Sequence, residues 1–66
     1  MTITSAALTS SAISGLSYDD ETRELTLTFV RGGSYTYSGV PAGVVTELIA
    51  ARSPGRYYLN NIKARY

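Results

Sequence analysis

The chain contains no cysteine, no histidine and no tryptophan. Without thiols no disulfide can staple a small fold, and no thiolate can hold zinc. Without imidazole, the usual general base near neutral pH and the commonest metal ligand are both missing. No stretch approaches the ~20 consecutive apolar residues of a membrane-spanning helix. The opening run MTITSAALTSSAI has neither a basic start nor a long apolar centre, so it does not read as a secretory signal. The expectation is a soluble cytoplasmic protein with no metal, no cofactor and no membrane contact.

What is present suits one small folded domain. The chain has 66 residues, of which 44% are hydrophobic and 17% charged, far from the composition of disordered chains. A domain of this size buries only roughly 60% of its unfolded surface, so its stability margin is thin. Dimerisation or docking on a larger partner would add to that margin.

Net charge is +1, but it is unevenly spread. Residues 1–40 carry Asp19, Asp20, Glu21 and Glu24 against Arg23 and Arg31. Residues 41–66 carry Arg52, Arg56, Lys63 and Arg65 against Glu47 alone. A compact basic end rich in tyrosine points to a nucleic-acid partner. The competing reading is a helix C-terminus that attracts basic residues through its dipole.

Periodicity predicts three strands followed by two helices. Residues 1–9 are small and weakly periodic and read as a loose arm. Residues 11–18 form a first strand, in which Ile13 and Leu16 break strict alternation and Gly15 marks a bulge. DDET, residues 19–22, is a turn. RELTLTFV, residues 23–30, alternates cleanly, with Leu25, Leu27 and Phe29 on one face and Glu24, Thr26 and Thr28 on the other. RGG, residues 31–33, is a hairpin turn, and residues 34–40 are the third strand and its exit. Pro41 opens a helix with Val44, Val45, Leu48 and Ile49 as its apolar stripe. Ser53-Pro54 stops it near residue 52. Residues 56–66 form a second short helix with Leu59, Ile62 and Tyr66 on one face. The fold class is α+β, a three-stranded antiparallel meander with both helices on one face. Val44, Leu48 and Ile49 are expected to cover Leu25, Leu27 and Phe29. Residues 10–66 make one domain.

GSYTYSGVP, residues 33–41, places Tyr35 and Tyr37 on the same side of a strand. A two-residue loop at Arg31-Gly32 puts Tyr35 opposite Thr28 and Tyr37 opposite Thr26, away from the core. A three-residue loop at 31–33 puts both rings on the core side. Two-residue loops are the commonest hairpin connection, so the favoured reading displays both rings on the Thr face.

The other polar clusters carry little chemistry. Asp19, Asp20 and Glu21 lack the spaced ligands of a calcium loop and read as a solvated turn. Gly32-Gly33 lacks the Lys-Ser/Thr of a phosphate-binding loop. No general base stands out to activate a Ser or Tyr, so the chain is not expected to be an enzyme.

Several segments in order resemble one family. SSAISGLSYD at the first strand, Tyr35-Thr36-Tyr37, Gly39-Val40-Pro41, then SPGRYY, Asn61, Ile62 and Tyr66 together are similar to the KTSC domain. That small module is named for the C-terminus of some lysyl-tRNA synthetases, and it also stands alone in bacteria and phages. The resemblance runs from about Ser10 to Tyr66. It departs at Leu59, where the family usually has Asn. It implies a small α+β fold, company with tRNA machinery and an RNA-binding role.

Two functions follow as expectations. In the first, the chain is a non-catalytic module for RNA or another nucleic acid. Tyr35, Tyr37 and Tyr57 supply rings, and Arg52, Arg56, Lys63 and Arg65 contact the backbone. In the second, it is a protein-interaction or self-assembly module, such as a stand-alone phage or bacterial accessory protein, whose tyrosine face is the interface. The competing reading of 53–66 is ordinary packing, with one of Tyr57 and Tyr58 in the core beside Ile62.

Overall fold

The alternation in RELTLTFV becomes strand β3, Glu24–Phe29. Leu25 and Leu27 have no exposed surface, while Thr28 on the other face is exposed. In the computed structural model, which describes residues 3–8 and 10–66, β3 lies between β2 (Ile13–Asp19) and β4 (Ser34–Tyr37). A further strand, β1 (Ile3–Ala7), pairs with the outer side of β2. The sheet is antiparallel, in the order β1-β2-β3-β4. It has four strands rather than the expected three. The missed strand lies in the segment read as a loose arm. Ile3 faces Asp19 and Ala7 faces Gly15 across its ladder. Its Thr, Ser and Ala residues show no apolar alternation, so pattern alone gave no sign of it. Met1, Thr2 and Thr9, also assigned to the arm, lie outside the described residues.

The slip in β2 is a bulge at Ser14. Ile13 pairs with Phe29 and Gly15 with Thr28, which leaves Ser14 as the extra residue. That extra residue brings Ile13 and Leu16 to the same face, and both are buried. A Cβ at Gly15 would lie 3.3 Å from the carbonyl oxygen of Ala6, so glycine lets β1 come close here. At the next turn the Asp19 carboxylate accepts from the N–H of Glu21 at 2.9 Å. The acidic cluster therefore spends one carboxylate on its own turn.

The β3–β4 hairpin overturns the favoured register. Leu25 faces Tyr37, Leu27 faces Tyr35 and Thr28 faces Ser34. The Phe29 N–H donates to the Gly33 carbonyl at 3.1 Å, so Val30, Arg31 and Gly32 form the loop. Gly32 and Gly33 both sit at positive φ, 105° and 86°, a region glycine enters without a Cβ clash. The loop thus has three residues and starts one residue before the three-residue alternative. Directly opposed residues share a face, so Tyr35 and Tyr37 stand with Leu25 and Leu27. The opposite face carries hydroxyls instead. Thr26 bonds Thr36 at 2.9 Å and Thr28 bonds Ser34 at 3.3 Å, oxygen to oxygen.

Beyond β4, Gly39 at φ 73° turns the chain and buries Val40. The Val40 carbonyl accepts from the Tyr18 hydroxyl at 2.6 Å, and its N–H donates to Arg23 at 3.0 Å. Helix α1, Ala42–Ala50, follows. It buries Val45 and Leu48, with Val44 half-buried, but leaves Ile49 40% exposed. Val45 and Leu48 thus join the core cluster that holds Leu25 and Leu27, with Val44 packed against it, and Ile49 points outward.

Ser53 adopts a non-helical backbone before Pro54, as expected of a pre-proline residue. Helix α2, Pro54–Tyr57, then runs into a π-helical turn, Tyr58–Ile62. The Lys63 N–H reaches back five residues to the Tyr58 carbonyl at 2.8 Å. Tyr58 and Ile62 are buried, while Leu59 and Tyr66 are 56% and 38% exposed. The inward stripe of this segment is therefore Tyr58/Ile62 and not Leu59/Ile62/Tyr66. The two helical segments and the core residues Ile13, Leu16, Tyr18, Leu25 and Leu27 form one cluster on one face of the sheet. Each fully buried aliphatic side chain contributes about 1.5–3 kcal/mol. No helix among the described residues is long and apolar enough to cross a membrane.

Candidate nucleic-acid interface

The helical layer does not reach the corner where β4 begins. Leu27 is fully buried, yet Tyr35 directly across the ladder is 60% exposed. Gly33 faces Phe29 without a side chain, so the Tyr35 ring leans diagonally onto Phe29. Their centroids lie 5.4 Å apart at 70°. Phe29 meets Tyr58 at 5.3 Å and 67°, and Tyr37 meets Tyr58 at 5.8 Å and 62°. All three contacts are edge-on, a favoured aromatic geometry. No two of these rings are stacked on each other.

The hydroxyls of Tyr37 and Tyr58 are hydrogen-bonded together. Burial, and then the bond to Tyr37, push the Tyr58 phenol up to about 12. Both effects favour the neutral form, and either of the two hydroxyls can be the donor of the shared bond.

Two clefts meet at this aromatic corner. The smaller, about 400 Å³, is lined by Phe29, Tyr35, Tyr37, Tyr58 and Lys63. The larger, about 750 Å³, shares Phe29, Tyr35 and Tyr58 and adds Arg31, Arg56 and Leu59. Among the described residues no carboxylate lines either one. A depression on the hydroxyl face, around Ser5, Ser14, Ser17 and Thr28, has neither charge nor aromatic ring.

The residues expected from sequence are only partly brought together. Tyr35, Tyr37, Arg56 and Lys63 line the joined clefts. Arg52 lies elsewhere, in a separate shallow cleft with Leu8, Ile49 and Pro54. Tyr57 turns toward α1, where its hydroxyl donates to Glu47 at 2.7 Å. That bond, with some burial, raises its pKa. Arg65 acts on the Tyr57 phenol and lines neither cleft. Phe29 and Arg31 were not singled out from sequence. Phe29 read as a core residue, and the choice between Tyr57 and Tyr58 for the core was open; Tyr58 is the buried one. Arg31 was counted with the acidic half of the chain, although the hairpin carries it to the basic corner.

Residues 9–66 match the KTSC domain. The chain belongs to the KTSC domain family. It is 40% identical over 57 residues to a protein of Tsukamurella paurometabola, covering 86% of this chain and 85% of that one. It is 38% identical over 60 residues to a protein of Stutzerimonas stutzeri, covering 91% and 84%. Among solved structures it is similar to a KTSC domain protein from Yersinia pestis. That similarity has a TM-score of 0.89 and 31% identity, over 97% of this chain and 90% of that one. Within this KTSC domain, Leu59 falls on the rim of the larger cleft. The departure noted in the sequence is thus at a position facing the candidate interface.

Proposed function

We propose that this KTSC domain is a non-catalytic module that binds single-stranded RNA at the aromatic corner. One observation carries the reading: the exposed ring of Tyr35 stands between a cleft with Arg31 and Arg56 and a cleft with Lys63. Bases stack on such rings at ~1–3 kcal/mol each, whatever their sequence. Guanidinium and ammonium groups on either side hold the flanking phosphates. Binding of this kind needs no metal and no cofactor, and it fits a cytoplasmic protein working beside tRNA. Glu47, the carboxylate bonded to Tyr57, raises the phenol's pKa.

The test is fluorescence anisotropy with a labelled single-stranded RNA, titrated with salt. Affinity should fall steeply as salt rises, because each neutralised phosphate releases counterions. No detectable binding at low salt would defeat the reading.

A second reading rests on the outer edges of β1 and β4, which pair with no further strand among the described residues. Unpaired strand edges are templates for another strand, so self-assembly or strand addition by a protein partner is the competing proposal. Sedimentation at high protein concentration tests it. A monomer throughout would count against self-assembly.

A further inference from the structure

We propose that the smaller cleft is a slot for one nucleobase, whose acceptor edge is read by the outward hydroxyl proton of the Tyr37–Tyr58 pair. The inference rests on the RNA reading above and adds a base-reading device to it. Two phenols bonded to each other hold two hydroxyl protons, and only one can lie in the shared bond. The other belongs to the accepting hydroxyl and must point elsewhere. Either hydroxyl can donate in the shared bond, and both Tyr37 and Tyr58 line the cleft. Whichever phenol accepts keeps its own proton at the wall of the cleft, where a ligand can take it.

The surroundings fit a flat ring with an acceptor on its edge. Phe29, Tyr35, Tyr37 and Tyr58 supply aromatic surface around the cleft, and no pair of them is stacked. Among the described residues Lys63 supplies the one cationic group in the lining, a partner for the phosphate of the same nucleotide. Nucleobases carry ring nitrogens or carbonyl oxygens that accept a phenol proton, and uracil offers two carbonyls. A sugar-phosphate chain without bases offers no flat ring for the slot.

The test compares two RNA-like oligomers of equal length, an oligouridylate and a ribose-phosphate chain lacking bases. The decisive variant is Tyr37→Phe/Tyr58→Phe, which removes both hydroxyls and keeps both rings. Removing both partners of a hydrogen bond leaves no stranded polar group, so the fold should survive. Near-ultraviolet circular dichroism checks that it does. The expected result is a loss of about two- to tenfold in affinity for oligouridylate, with affinity for the base-free chain unchanged. Tyr37→Phe alone frees the Tyr58 hydroxyl to donate into the same cleft, so it should lose less than the double variant. An unchanged ratio of the two affinities in both variants would overturn the slot while leaving RNA binding intact. If the unmodified protein binds neither oligomer, the RNA reading itself has failed and takes the slot with it.

Discussion

Leu27 and Tyr35 face each other across the β3–β4 ladder, yet one is fully buried and the other keeps 60% of its surface. The pair marks where the core ends. The helical layer covers Leu27 and stops short of Tyr35, so a core-side residue is left open to solvent. The question raised by the tyrosine pair, core or display, has a different answer for each ring. Tyr37 joins the buried phenol Tyr58, and Tyr35 lies beyond the covered area.

Tyr35→Ala should therefore separate binding from folding. Loss of one stacking ring is expected to weaken single-stranded RNA binding about tenfold, within the ~1–3 kcal/mol per base of such platforms. Stability should fall by only about 0.5–1.5 kcal/mol, the worth of its edge-on contact with Phe29. Anisotropy and thermal melting measure the two effects on one sample.

The cations should divide by position. Arg31→Ala, Arg56→Ala and Lys63→Ala should each reduce the salt slope of binding by about 0.7, one phosphate's share on a single strand. Arg52→Ala should leave the slope unchanged, because Arg52 lines a separate cleft. A salt titration of the four variants checks this.

Leu27→Ala should be severe. The side chain is fully buried, and such truncations cost about 2–5 kcal/mol. In a domain of this size that lowers the melting temperature by roughly 10 °C or more. Gly33→Ala isolates the backbone term. A Cβ there meets nothing within 4 Å, but φ is 86°, so the cost is about 1–2 kcal/mol of left-handed strain.

Alkaline pH should destabilise the fold through Tyr58. Its folded pKa is about 12 against an ordinary 10.0. Below pH 10 both folded and unfolded chains keep this proton, and stability is unaffected. Between about 10 and 12 the unfolded chain releases the proton and the folded chain holds it, so stability falls as pH rises. Tyr57, raised by its bond to Glu47, acts in the same direction. Phenolate absorbance should show a late-titrating tyrosine in the unmodified protein. Tyr37→Phe should lower that late pKa by removing one of its causes.

Much of the fold was legible because burial writes a period into sequence. The alternation of Leu25, Leu27 and Phe29 located β3, and the three-residue step from Ile13 to Leu16 located the bulge. Strand β1 was hidden because its ladder is made by backbone groups beneath side chains too small to show a pattern. The hairpin register was hidden because Gly32 and Gly33 can both take positive φ, which permits several loops that differ by one residue. That residue decides the face of Tyr35. The site was half legible for the same reason. Tyr35, Tyr37, Arg56 and Lys63 were named from composition, but Arg31 reaches the corner only through the true register. Arg52, Tyr57 and Arg65 share the basic segment in sequence but not the clefts in space: Arg52 precedes α2 and lines a separate cleft, Tyr57 turns to Glu47, and Arg65 follows the π turn.

The most direct test of where this domain binds is a chemical-shift titration of the uniformly ¹⁵N-labelled protein with a short oligouridylate. The expected result is perturbation concentrated at Phe29–Tyr37, Arg56 and Tyr58–Lys63, with the hydroxyl face around Ser5 and Ser17 unmoved. Shifts confined to the hydroxyl face or to the edge of β1, or none at saturating RNA and low salt, would contradict it.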